Sequence, residues 1–181
     1  MDGSGTKIRY NCSLRVRGEG SRDRSPPPWR VNIPSDRPWN ELTAVNLNSQ
    51  FIHSQMLGSA FALRAGLPAA EARVVQVRLN GLNYARSGLP GNGTSTGSGF
   101  GSYAMLEPVN DELAGHRFPL DGNGNVYRAS IYPYYANLRY EGTNLYNYTN
   151  ASNGGYTKTS NKSENDWSDL VDLTYVLSTN L

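Results

Sequence analysis

Cysteine is almost missing from this 181-residue chain: Cys12 stands alone. An internal disulfide and any Cys-x-x-Cys metal or redox pair are therefore excluded. Lysine is scarce as well. Of 17 basic residues only Lys7, Lys158 and Lys162 are lysine, and the other 14 are arginine, the type whose planar fork pairs with carboxylate or phosphate. No apolar run reaches the roughly 20 residues of a membrane-spanning helix, and mean hydropathy is −0.57. A net charge of +2, with the basic residues scattered, is too mild for a general nucleic-acid binder. Met1 is followed by Asp-Gly-Ser-Gly-Thr where a leader would carry charge and then an apolar segment, so no export signal is expected.

What is present starts with a regular alternation. Ile8, Tyr10, Cys12, Leu14 and Val16 fall on one side of Lys7–Arg17, and Lys7, Arg9, Asn11, Ser13, Arg15 and Arg17 on the other. That pattern predicts a strand with one buried and one basic face, with Cys12 as a small core residue. It runs into Arg17-Gly-Glu-Gly-Ser-Arg22, and the chain resumes as Trp29-Arg-Val-Asn-Ile33. A basic, glycine-bearing turn between two strands has two readings: a cradle for an anion, or a plain hairpin with solvated arginines.

Farther along, Asn46-Leu-Asn-Ser49 offers cap residues before a helix whose packed stripe is Phe51, Ile52, Gln55, Met56, Ser59, Ala60 and Leu63. Gly66 and Pro68 close it. Arg73–Leu79 alternates into Asn80-Gly81, a strong hairpin signal, with Leu82–Arg86 returning. Residues 87–101, SGLPGNGTSTGSGFG, have the composition of a flexible insertion and lack the ordered glycine spacing of a phosphate loop. Ser102–Glu107 is a further strand. Glu107 before Pro108 is either a ligand-facing group or a surface carboxylate.

Asn110 can cap a short helix with Asp111 and Glu112 in its first turn. Asp121-Gly-Asn-Gly-Asn125 has the wrong glycine register for a calcium loop, and is a tight turn. The Tyr- and Asn-rich stretch 132–156 is expected to be an irregular, hydrogen-bonded surface excursion. A last helix, from about Glu164 to Ser178, has an apolar stripe of Trp167, Leu170, Leu173 and Leu177, with Asp166, Asp169 and Asp172 on its wetter side. Those acids are a solvated face and no metal ligands are assigned. His53 and His116 have no cysteine or paired acid nearby and are expected to be exposed or capping.

With these pieces in order, the chain resembles the first part of the CotH (spore coat protein H) family of atypical kinases. The resemblance is carried by Arg15-Val-Arg-Gly-Glu-Gly-Ser-Arg22, Trp29-Arg-Val-Asn-Ile-Pro-Ser-Asp-Arg-Pro-Trp-Asn40, Arg64-Ala-Gly-Leu-Pro68, Val75-Gln-Val-Arg-Leu-Asn-Gly81, Gly101-Ser-Tyr-Ala-Met-Leu-Glu107, Gly124-Asn-Val-Tyr-Arg128 and Glu164-Asn-Asp-Trp-Ser-Asp-Leu170. It implies an α+β fold over 1–181 as a single domain: a twisted, mainly antiparallel sheet with one long packed helix, similar to a kinase amino-terminal lobe. A short helix, the irregular segment and the C-terminal helix would follow.

The resemblance further implies that ATP and Mg2+ are the cofactors and that a surface or coat protein, exported like its kinase, receives the γ-phosphoryl group on a hydroxyl. Gly18, Gly20 and Ser21 would form the turn over the phosphates, with Arg17 and Arg22 adding charge and Glu107 at the adenine edge. The family's commoner pattern has a lysine after proline just ahead of the second strand; here Pro26-Pro27-Pro28 fills that stretch and Arg30 is the nearest cation. The metal-holding acids of the second lobe are not found, so the chain is expected to be a nucleotide-binding fragment that is inactive alone. The alternative expectation is a non-catalytic surface-binding module that keeps the fold.

Overall fold

The computed structural model of the chain describes residues 5–18, 21–23, 26–83, 102–130, 136–149 and 154–179. They fall into two units, Met1–Pro108 and Val109–Leu181. The first unit is built on a five-stranded antiparallel sheet of β1 (Ser13–Val16), β2 (Trp29–Asn32), β3 (Ala44–Asn48), β4 (Ala72–Gln76) and β7 (Ser102–Leu106), in the order β1-β2-β3-β7-β4. One helix, α1 (Ile52–Arg64), lies against β4 and β7. Ser59 pins it there: its Oγ donates to the carbonyl of Ala70 at 2.7 Å and accepts from the N–H of Ala72 at 3.1 Å. The short strands β5 (Arg78–Leu79) and β6 (Leu82–Asn83) flank Asn80-Gly81, whose φ values of 51° and 80° make the hairpin turn that the dipeptide predicts. The fold class is α+β, as the sequence implies.

Three expectations for this unit are corrected. The first strand is shorter than Lys7–Arg17, and β1 is exposed on both sides; Leu14 is 54% accessible and Cys12 is exposed and not in the core. The reason is position: β1 is the sheet edge, paired only with β2, so its alternation meets no covering layer. The second correction concerns Asn46–Asn48, which do not cap α1. They belong to β3, a strand that the sequence reading missed, and Ala44, Val45, Asn46 and Leu47 are buried in the middle of the sheet. Third, the N-cap is Phe51, in the left-handed region at φ 51°, and no side chain caps the helix. The glycine-rich 87–101 and the return strand beyond Asn83 lie outside the described residues.

The second unit begins with α2 (Asp111–Arg117), where Asn110 accepts from the N–H of Leu113 and Asp111 and Glu112 occupy the first turn, as expected. Asp121–Gly124 is the anticipated tight turn. β8 (Tyr127–Ala129) pairs with β9 (Tyr156–Lys158), and α3 (Ser168–Thr179) follows. The Tyr- and Asn-rich stretch is not a surface excursion throughout: Tyr148 and Tyr156 are buried with Trp167, Leu170 and Val171 and form the core of this unit. Burial of a tyrosine requires a partner for its hydroxyl, and both have one. The Tyr148 hydroxyl accepts from the N–H of Glu141 and donates to the carbonyl of Gly142, and Tyr156 accepts from the N–H of Leu138 at 2.8 Å. Core burial also re-phases α3, whose packed residues are Leu170, Val171 and Thr174, while Leu173 and Leu177 face outward. Replacing Leu170 by Ala is expected to cost about 2–5 kcal/mol, read as a lower urea midpoint for loss of the tyrosine fluorescence signal.

The acids at the start of α3 stay on the exposed side, but two of them brace the helix. Asp166 accepts from the N–H of Ser168, which holds its carboxyl below the ordinary 3.8. Asp169 accepts from the Tyr127 hydroxyl at 2.5 Å and from Asn125 at 3.0 Å. Partial burial, then the hydrogen bond to Asp169, raises the Tyr127 phenol above its ordinary 10.0. The folded state therefore favours the protonated phenol: that stability is complete below pH 10 and is lost as pH rises beyond it. Melting temperature is expected to fall above pH 10 in the native chain and to fall less steeply in Tyr127→Phe, measured by thermal unfolding between pH 8 and 12.

Candidate functional site

The turn after β1 is held by carbonyls rather than by N–H groups, because proline has none to offer. Each carbonyl of Pro26-Pro27-Pro28 accepts from a different element. Ser49 Oγ, just past β3, donates to Pro26 at 2.6 Å; the Tyr103 hydroxyl on β7 donates to Pro27 at 3.2 Å; the N–H of Arg17 donates to Pro28 at 3.0 Å. The outgoing limb is shaped by Gly18, at φ 94°, and by Arg22, whose Nε donates back to the Gly18 carbonyl. Such a backbone conformation suits glycine and strains any residue with a Cβ.

Beneath this turn is a cleft of about 250 Å3. Its turn side is Arg17, Gly18, Ser21 and Pro28; its floor and far wall are Asn48, Ser49, Gln50, Phe51 and Gln55. A line of hydrogen bonds crosses it. Arg17 Nη1 donates to Asn48 Oδ1 at 2.5 Å, Asn48 Nδ2 to Gln55 Oε1 at 2.6 Å, and Gln55 Nε2 to the carbonyl of Gln50 at 2.5 Å. The end of β1, the end of β3 and the first turn of α1 are thus joined through neutral amides. Among these lining residues the cation is Arg17 and none is acidic. A guanidinium, a serine hydroxyl, two side-chain amides and a helix start without a side-chain cap are complementary to an anion. The volume is below the ~300–1,000 Å3 of sites that swallow a whole small molecule, so it suits a phosphate group or two.

The structure gathers Arg17, Gly18 and Ser21 in the cleft, while Arg22, Arg30 and Glu107 are not among its lining residues. Arg22 is spent on the turn, as described. Arg30 lies on β2 on the same sheet face as Arg17, opposite Arg15 and Asn46, with Nε bonded to Asn32 Oδ1 at 2.8 Å. Glu107, just past β7, is buried, and its N–H is bonded to the carbonyl of Glu71. It is three residues from Ala104, the partner of Asn48, hence roughly 10 Å along the strand from the cleft. Gly20 lies outside the described residues. His53 and His116 are exposed, as anticipated. Asn48, Gln50 and Gln55 were not anticipated as site residues; the signal available was the register Asn46, Asn48 on one strand face, visible only if Ala44–Asn48 is read as a strand.

Among the described residues there is no group of three or more His, Cys, Asp or Glu side chains that could hold a metal ion. No magnesium ligands are assigned among the described residues, and no step is routed through the ion. Also among them, no helix is long and apolar enough to cross a membrane. For the turn itself, Gly18→Ala would drive a methyl into Ser21 Oγ at a positive φ. It is expected to destabilise by about 1–2 kcal/mol, measured by urea unfolding, and to weaken anion binding in parallel.

No curated protein matches the chain. The family model described as CotH kinase protein matches residues 14–180. That span takes in the strand before the turn, the cleft and the helix that closes the second unit, and the chain belongs to the CotH kinase family.

Proposed function

We propose that the cleft holds the phosphate tail of ATP and that the chain is the nucleotide-binding portion of a CotH kinase, which passes the γ-phosphoryl group to hydroxyls of surface or coat proteins. The observation that supports it most is the convergence of Arg17, Gly18 and Ser21 on one small cleft whose described lining carries no carboxylate. Phosphoryl transfer rests on positioning and on stabilising charge. The residues here supply the first and part of the second: the glycine turn lets the backbone close over the phosphates, Ser21 donates a hydroxyl hydrogen bond, and Arg17 supplies a positive fork oriented by Asn48. The magnesium that such chemistry uses would add the remaining charge stabilisation, from ligands other than those described.

The lining of the cleft supports Arg17 as the leading cation. Arg17 lines the cleft, whereas Arg30 is on the same sheet face and is not among the lining residues. Arg17→Ala is therefore expected to raise the ATP dissociation constant by about tenfold or more, the size of one charge-assisted hydrogen bond, and Arg30→Ala to have the smaller effect. Isothermal titration with ATP, with and without magnesium, checks both. Equal affinities for the native chain and Arg17→Ala would remove the assignment.

A second reading, a binding module that keeps the fold without catalysis, draws on α1, where Leu57 and Phe61 stand exposed one turn apart at 60% and 74%. Absence of any ATP binding by the native chain would favour it.

A further inference from the structure

The cleft is smaller than the tail assigned to it. At about 250 Å3 it takes a phosphate group or two, whereas a triphosphate has three. The group left over lies outside, and the sheet face that runs back from Arg17 offers it a place. Arg15 stands two residues before Arg17 on that face, about 6.8 Å away along the strand, and its cross-strand partner is Arg30. Side chains directly opposite on antiparallel strands have Cβ atoms about 4.5–5.5 Å apart, and like charges so placed destabilise the sheet. The positions that flank the pair on the same face, Ser13, Asn32 and Asn46, are all neutral. Arg15 is exposed, as is the rest of β1, so a dissolved anion can reach it. Arg30 is half-buried, and its Nε donates to Asn32 Oδ1 at 2.8 Å, so an amide orients this guanidinium as Asn48 does that of Arg17. An oxyanion between Arg15 and Arg30 turns a repulsive pair into two charge-assisted contacts.

We infer that Arg15 and Arg30 form a subsite for a third phosphate, continuous with the cleft, so that the site measures the length of the phosphate chain. This rests on the phosphate-tail reading of the cleft and deepens it. Arg17 holds the groups inside the cleft, and the cross-strand pair holds the one that the cleft leaves out. Arg15 is thereby a specificity residue, in a role for which the sequence reading named Arg30 and not Arg15. Its effect is on discrimination, since a diphosphate fits within the cleft and gains nothing from the pair.

The test is isothermal titration of the whole chain with two probes, inorganic diphosphate and inorganic triphosphate, at about 0.15 M salt, where distant exposed charges are screened. The native chain is expected to bind triphosphate about tenfold tighter than diphosphate, the size of one charge-assisted contact. Arg15→Ala is expected to bring that ratio close to one with little change in diphosphate affinity. Arg17→Ala is expected to weaken both probes and keep the ratio. Arg78→Ala, which removes an exposed arginine from β5 in another sheet, is expected to change neither affinity. The ratio compares two ligands on one protein, so a general loss of binding cancels. Equal affinity of the native chain for both probes, a ratio that survives in Arg15→Ala, or a ratio lost equally in Arg78→Ala overturns the inference and leaves the cleft reading in place. No binding of either probe removes the phosphate-tail reading and this one with it.

Discussion

Arg17 sits where two strands end and a helix begins, and the way it is held governs the geometry around it. Asn48 is one hydrogen-bond partner of the guanidinium, and Asn48 is in turn held by Gln55, so that the residue just past β1, the last of β3 and the first turn of α1 share one hydrogen-bonded line. Such a line transmits position. A shift of α1 along the sheet would move Gln55, then Asn48, then the guanidinium. Neutral donors and acceptors suit this task in a small cleft, since each is satisfied without a counter-charge to compete with an incoming anion.

The proline run gives the same region its stiffness. Three consecutive residues without N–H groups cannot join a ladder, so their carbonyls are taken by Ser49, Tyr103 and Arg17 from three separate places. The resemblance places a lysine in this stretch in other members of the family. Here its place is taken by a fixed strut, and the cation of the cleft comes from the opposite limb of the turn. The second unit solves a different problem with similar means. It builds its core from Tyr148, Tyr156 and Trp167 together with Leu170 and Val171, each of the two phenols tied to backbone groups of the surrounding loops.

Where the sequence misled, the causes are physical and local. Alternation over Lys7–Arg17 was genuine, but alternation reports a two-sided strand without saying whether a layer covers either side; at the sheet edge none covers β1. Asparagine is poor in strands and favoured at helix starts, so Asn46 and Asn48 pointed to a cap, whereas the chain uses them on the face of a central strand. In α3 the residues 170, 173 and 177 fit a helical stripe, and so do 170, 171 and 174; both satisfy the period, and only the tyrosine core selects between them. The glycine turn with its arginine and serine, and the helix Ile52–Arg64, were legible because glycine freedom and 3.6-residue periodicity are properties of short segments.

Alone, the residue order determined the α+β class, the Asn80-Gly81 hairpin, the Asn110 cap, the glycine turn and the family, all of which depend on neighbours within a few residues or on motifs in series. The tertiary structure decided which arginine lines the cleft, which amide orients it, that Glu107 is not among the cleft's lining residues, and that Tyr148 and Tyr156 join Trp167, Leu170 and Val171 in the second core. Those outcomes depend on strand register and on which face another element covers, and register is a relation between segments far apart in the chain, with no trace in either segment read alone.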